Sequence, residues 1–179
     1  ALATVGYYSS FGATAPSRCL AGRYGDAAGR PDDQCSGAAA RGHYTLAGAT
    51  SPTQYPCPAG TYLPTMGGSS VESCKPCDIA HYCPSASVEP LPCEAVLPSS
   101  ITVDVGGQSA RDCRCPAGRF LVGDATANES VTCVPCPEGV DCLLPGDTVE
   151  TILLTRGYWR QSALSAKVRK CRARGDQCV

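Results

Sequence analysis

Two stretches of this chain carry the spacing of a metal-ligand pair: Cys74-Lys75-Pro76-Cys77 and Cys133-Val134-Pro135-Cys136. A Cys-x-x-Cys step either grips zinc or supplies two arms of a disulfide framework. The chain has 14 Cys against two His, His43 and His81, and an even, dense cysteine set with so little imidazole favours bridges formed in an oxidising compartment. Zinc is kept as the rival, and no cofactor is expected. Catalysis needs a base held by a core, whereas the two His stand in equivalent turns, Gly42-His43-Tyr44 and Ala80-His81-Tyr82. An enzyme is not the expected reading.

The elements that must hold these cysteines have little else to hold them. Of 179 residues only 30 are Leu, Ile, Val or Phe, too few for an ordinary core. The 43% hydrophobic content is largely Ala and Cys, which bury little area each. A net charge of −1 argues against disorder, so sulfur must supply the missing stability. No apolar run approaches the roughly 18 residues that span a bilayer, the best being Thr151 to Thr155. The chain shows no signal peptide and begins at Ala1 rather than Met, which reads as a processed form or a piece of something longer.

Self-comparison reveals a repeat. Cys57-Pro58-Ala59-Gly60-Thr61-Tyr62-Leu63 returns as Cys115-Pro116-Ala117-Gly118-Arg119-Phe120-Leu121 and, more faintly, as Cys19-Leu20-Ala21-Gly22-Arg23-Tyr24-Gly25. Cys74, Cys77 and Cys83 return as Cys133, Cys136 and Cys142, each 59 residues on. A second echo links Gly67 to Cys74 with Gly106 to Cys113, and a third links Gly6 to Thr14 with Gly42 to Thr50. The division expected is a cysteine-poor, degenerate repeat over 1–56, starting inside a module, then a cysteine-rich repeat over 57–114. A further repeat with a basic extension covers 115–179.

Loss of cysteines within the repeat bears on connectivity. Aligning Cys35 to Tyr44 with Cys74 to Tyr82 sets Ala38 or Ala39 at the place of Cys77 and Thr45 at the place of Cys83. Partners vanish as pairs, which predicts Cys77 with Cys83 and Cys136 with Cys142. Neighbours then pair throughout: Cys19 with Cys35, Cys57 with Cys74, Cys93 with Cys113, Cys115 with Cys133, and Cys171 with Cys178. A nested scheme, Cys77 with Cys93 and Cys83 with Cys113, stays open, because spacing does not decide connectivity.

At Cys-Pro-Ala-Gly-x-[Tyr/Phe]-Leu, Cys-x-Pro-Cys and Gly-Gly-x-Ser-x-x-x-Cys-x-Cys, residues 19–142 resemble the ephrin-receptor-like cysteine-rich repeats (the GCC2/GCC3 type), relatives of tumour-necrosis-factor-receptor-like modules. Asp112 to Phe120 is the most specific stretch. Arg156-Gly157-Tyr158-Trp159-Arg160 followed by Val168 to Cys171 is similar to a segment after such repeats in large surface proteins of protists, including mastigoneme-like flagellar proteins. The resemblance implies an adhesive, structural or receptor ectodomain.

Short runs such as Thr61–Leu63, Ser100–Val105, Phe120–Val122 and Thr148–Thr155, set between Gly, Pro and Ser clusters, predict small two-stranded ribbons. The fold class expected is small and disulfide-rich: an elongated tandem array of modules with many turns and little helix. The Gly after each Cys-x-Ala should occupy a turn at positive φ, with Tyr or Phe two residues on laid over a bridge.

Three further features concern contacts. Asn128-Glu129-Ser130 is an N-glycosylation sequon at Asn128. Arg174-Gly175-Asp176 lies in the loop a Cys171–Cys178 bridge would close, and its ordinary reading is a charged turn. Residues 1–155 hold 8 basic and 15 acidic side chains, whereas 156–179 hold 7 basic ones, Arg156, Arg160, Lys167, Arg169, Lys170, Arg172 and Arg174, against Asp176. That basic end, with Tyr158 and Trp159 set between Arg156 and Arg160 where they can stack with guanidinium groups, is the candidate interaction surface for an acidic protein face or an anionic glycan. For the aromatic pair itself, packing against the last bridge is the first reading, and stacking as a recognition anchor is the alternative. The function expected is a non-enzymatic spacer and contact segment of a large extracellular surface or filament protein. Its partners would be other copies or other extracellular proteins, and nucleic acid is not among them. The alternative is a receptor ectodomain binding a protein ligand.

Overall fold

The computed structural model describes residues 3–123 and 130–171. Its strands are short and pair as eight antiparallel ribbons. In chain order β1 (Tyr7–Tyr8) pairs β2 (Ser17–Arg18), β3 (Arg23–Tyr24) pairs β4 (Gly37–Ala38), and β5 (His43–Tyr44) pairs β6 (Tyr55–Pro56). Then β7 (Thr61–Tyr62) pairs β8 (Lys75–Pro76) and β9 (His81–Tyr82) pairs β10 (Leu91–Pro92). Last come β11 (Arg119–Val122) with β12 (Thr132–Pro135), β13 (Val140–Asp141) with β14 (Leu153–Leu154), and β15 (Tyr158–Arg160) with β16 (Val168–Lys170). Helix among the described residues is limited to three-residue 3-10 turns such as Val71–Ser73.

A backbone device starts each ribbon. Thr61 N–H donates to Pro58 C=O (3.1 Å) across Gly60 at φ 87°, the arrangement of a type II turn, whose third position calls for positive φ. The same positive φ occurs at Gly6, Gly22, Gly42, Ala80, Ser99, Gly118, Gly139 and Gly157, spaced 16 to 21 residues apart. The structural period is therefore about a third of the repeat seen in the sequence. At Ser99 the ribbon has shrunk to one bridge, Ile101 with Arg114, which is why the strand expected over Ser100–Val105 is not formed. Similarly, Thr148–Thr155 contributes only Leu153–Leu154, because Thr148 to Thr151 is spent on a turn closed by Thr151 N–H to Thr148 C=O.

Each ribbon also closes in the same way. The residue after its second strand donates back to the carbonyl of the turn residue, as Cys57 to Gly42, Cys77 to Gly60, Ala39 to Gly22 and Thr155 to Gly139 (2.8 to 3.0 Å). Pro56, Pro76, Pro92 and Pro135 end their strands, where a missing N–H leaves no gap in a two-stranded ladder.

Contacts gather into two compact units. The first is Ala1–Asp78 with Tyr82–Leu91 and Asp104–Ser109. Inside it each ribbon is tied to the next by turn N–H groups: Gly6 to Gly25, Gly22 to Thr45, Gly42 to Leu63 and Gly60 to Cys83 (2.7 to 2.9 Å). Packing there is so close that a Cβ on Gly60 would stand 2.6 Å from Gly106 O, and one on Gly22 2.6 Å from Gly67 O. Its apolar cluster is Cys57, Leu63 and Cys74 with Tyr44 against it. The second unit is Ile79–His81, Pro92–Val103 and Ala110–Val179. Gly118 N–H donates to Cys142 C=O (2.8 Å) in the same manner, but the four-residue β11–β12 ribbon buries a true apolar cluster of Phe120, Cys142 and Ile152.

Candidate functional site

Six bridges are described: Cys19–Cys35, Cys57–Cys74, Cys77–Cys83, Cys93–Cys113, Cys115–Cys133 and Cys136–Cys142. Their Cα atoms lie 5.4 to 6.5 Å apart, within the ordinary span of a disulfide. All six pair neighbours in sequence, so the nested alternative is not the one this structure adopts. The members of each Cys-x-x-Cys step take different partners, Cys74 going back to Cys57 and Cys77 forward to Cys83, and no described cysteine is free. Cys178, the predicted partner of Cys171, lies outside the described residues, as do Asn128 and Arg174-Gly175-Asp176.

The first cysteine of each bridge sits at the closing position that follows a second strand or, for Cys115, the single Ile101–Arg114 bridge, and its partner lies on the next ribbon. Where that partner precedes the next second strand, or in the case of Cys133 lies within it, the loop is long, with sequence separations of 16 to 20 residues. Where it follows the next first strand, as in Cys77–Cys83, the separation is 6. Ala39 and Thr45 occupy those two places at the junction of the second and third ribbons, and both are 0% exposed. Thr45 Oγ1 there donates to Arg23 C=O at 3.2 Å in place of a sulfur bridge.

His43 and His81 each turn Nδ1 to a carbonyl of their own turn, Arg41 O at 3.0 Å and Ile79 O at 3.1 Å. Among the described residues no group of three or more His, Cys, Asp or Glu gathers as a metal would require.

The candidate interaction residues divide by face. In β15–β16, Tyr158 pairs with Lys170, Trp159 with Arg169 and Arg160 with Val168, so Tyr158, Arg160, Val168 and Lys170 share one face. That face turns inward. The Tyr158 ring lies on Gly139, where any Cβ would collide with it, and its hydroxyl donates to Glu138 Oε1 at 2.6 Å. Accepting carboxylate first, and partial desolvation second, push the phenol above its ordinary value of 10.0. The Arg160 guanidinium reaches the carbonyls of Val149, Glu150 and Ile152. Trp159 and Arg169 share the other face, where Trp159 stays 39% exposed with the Arg169 guanidinium 6.0 Å over its ring.

Stacking of the aromatics between Arg156 and Arg160 is corrected by this register: the cations over the rings are Arg169 and Lys170, from the opposite strand. Arg160 is drawn away by three carbonyls, and Arg156 lies exposed ahead of the turn at Gly157. Sequence reading did not single out Glu138, Gln161 or Ser165. The strand parity of 159 and 161 was the available signal for Gln161, and none marked Glu138, which is distant in sequence.

No family model matches the chain. Over 119 residues, 66% of the chain, it is 28% identical to "Cysteine repeat modular protein B" of Toxoplasma gondii, of whose length the match covers 2%. Together with the stapled ribbons, that similarity makes the chain a cysteine-rich repeat module. Bridges at this density fit an extracellular or secreted protein. No helix among the described residues is long and apolar enough to cross a membrane.

Proposed function

We propose that the chain is a non-enzymatic segment of a large extracellular surface or filament protein, serving as a stiff, elongated spacer that carries contact surfaces for other copies or other extracellular proteins. The observation that supports this reading is the pattern of the bridges, each of which joins one ribbon to the next. Stiffness is thereby distributed along the sequence rather than gathered around one core. The ephrin-receptor-like and flagellar-surface affinities belong to this reading on the strength of the Cys-Pro-Ala-Gly motifs and the Gly157-Tyr158-Trp159 segment. So does a three-repeat division into 1–56, 57–114 and 115–179, with a glycan at Asn128 and a seventh bridge from Cys171 to Cys178.

Small-angle X-ray scattering on the oxidised and reduced chain tests the spacer. A compact chain of this length has a radius of gyration of about 16 Å. The spacer predicts a clearly larger value and a rod-like distance distribution in the oxidised form, with expansion toward a coil on reduction. A radius near the compact value defeats the reading.

A further inference from the structure

The outward face of β15–β16 holds a hollow of about 310 Å³ lined by Trp159, Gln161, Ser165, Lys167 and Arg169. Four of these residues come from alternating positions of the two strands and their extensions, 159 and 161 on one arm and 167 and 169 on the other, so they project to the same side. Ser165 comes from the connecting loop, whose backbone is turned there by Ser165 N–H to Ser162 C=O (3.1 Å). The opposite face is spent on holding the ribbon in place, through Tyr158 and Arg160. Nothing in the fold requires Trp159, the single Trp of the chain, to stand on the exposed side.

We propose that this hollow is a recognition site for an anionic saccharide, a hexose carrying sulfate or carboxylate. The chemistry of the lining matches each part of such a ligand. A half-exposed indole offers a flat apolar face for the C–H side of a pyranose ring. Gln161 and Ser165 supply donors and acceptors for ring hydroxyls. Lys167 and Arg169 supply charge for the anion, Arg169 with a planar fork that engages two oxygens of a sulfate or carboxylate. No acidic residue lines the hollow. The ion pair described joins Arg30 to Asp26, and no described carboxylate pairs with Lys167 or Arg169. Two cations beside an exposed Trp, with no counter-charge from the described residues, are a surface shaped for an external anion, and the site stands whether or not the spacer reading holds.

Trp159 serves as its own reporter. The oxidised full chain is titrated at two salt concentrations with three probes: a heparin-derived hexasaccharide, a hyaluronan hexasaccharide and a neutral maltohexaose. Expected is a saturable change in Trp fluorescence with at least one anionic probe, weakened at the higher salt and absent with maltohexaose. The sulfated and carboxylated arms tell the two anions apart. By calorimetry, Trp159→Ala and the pair Lys167→Ala with Arg169→Ala should each weaken that binding at least tenfold, with Arg41→Ala as an unaffected control on the first unit. Retained bridges and an unchanged circular dichroism spectrum guard against misfolding. The proposal is overturned if no anionic probe saturates, or if maltohexaose binds as well. It also falls if Arg172→Ala with Arg174→Ala abolishes binding while the two hollow variants do not. Sedimentation that shows a dimer, lost in Trp159→Ala and insensitive to both anionic probes, would assign the face to a second copy instead.

Discussion

The junction between the fourth and fifth ribbons and the junction between the second and third are built on one backbone plan and finished differently. At the first, Cys77 donates its N–H to Gly60 and is bridged to Cys83. At the second, Ala39 donates identically to Gly22, and a methyl group and the Thr45 hydroxyl fill the space two sulfurs would take. The turn-to-turn hydrogen bonds are the same in both, Gly60 to Cys83 and Gly22 to Thr45. The backbone ladder therefore defines the neighbour, and sulfur strengthens a contact that already exists. A third solution serves the junction between the seventh and eighth ribbons, where Thr155 stands at the bridging position and Tyr158 on Gly139 with Arg160 on three carbonyls does the joining.

The two units differ in the same sense. Ribbons in the first are two residues long and bury mainly Ala, Cys and Thr with Leu63, whereas β11–β12 in the second is four residues long and buries Phe120 at 2% exposure. Burial of an aromatic ring and closure of a loop are of similar size energetically. Phe120→Ala should cost about 3–5 kcal/mol in the second unit. Removing Cys57 and Cys74 together should cost about 3 kcal/mol in the first by the loop-entropy account. Guanidinium denaturation with probes in each unit compares them directly, and a Phe120→Ala loss well below the bridge loss would show that sulfur dominates both units.

Filling the empty rung sharpens the comparison further. Ala39→Cys with Thr45→Cys should form a bridge spontaneously, because the closing hydrogen bond already matches that of Cys77. The short loop predicts a gain of about 2 kcal/mol, reduced by whatever the Thr45 bond to Arg23 C=O contributes. Peptide mapping for the bridge and the denaturation midpoint for its effect are the measurements. Two thiols left unjoined would mean that the rungs are not equivalent.

The smallest effect belongs to the last ribbon. Tyr158 has a folded pKa above the ordinary 10.0, so its hydrogen bond contributes fully below that value and is lost as pH rises through the raised one. Alkaline titration should show one tyrosine ionising later than the others, with stability of the last ribbon falling in the same range. Tyr158→Phe should remove both the late ionisation and that part of the alkaline loss. A late tyrosine that persists in Tyr158→Phe places the effect elsewhere.

Asp26 moves the opposite way. The Ser36 hydroxyl and then Arg30 hold its carboxyl below the ordinary range, so its contribution is present above the unfolded value and fades as pH falls through the depressed one.

Much of this architecture was legible because cysteine is unambiguous. Paired loss at Ala38 or Ala39 and at Thr45 pointed to the short bridge, and the Cys-Pro-Ala-Gly copies pointed to turns at Gly22, Gly60 and Gly118, which have φ of 86°, 87° and 80°. The shorter period escaped notice. Its mark is a backbone conformation, and Ala80 (φ 66°) and Ser99 (φ 62°) adopt it without the glycine that would have announced it. The aromatic pair was legible as important but not as divided, since strand parity separates Tyr158 from Trp159 without saying which face turns inward.

Composition alone determined that sulfur replaces an apolar interior and that ribbons are short, and paired loss within the repeat favoured neighbouring cysteines as partners, because these depend on residue type and order along the chain. Which side of the last ribbon docks and which is left open was decided by tertiary structure. That choice depends on Gly139, Glu138 and the carbonyls of Val149, Glu150 and Ile152 arriving together from another ribbon, and their meeting is a matter of through-space geometry that linear order does not encode.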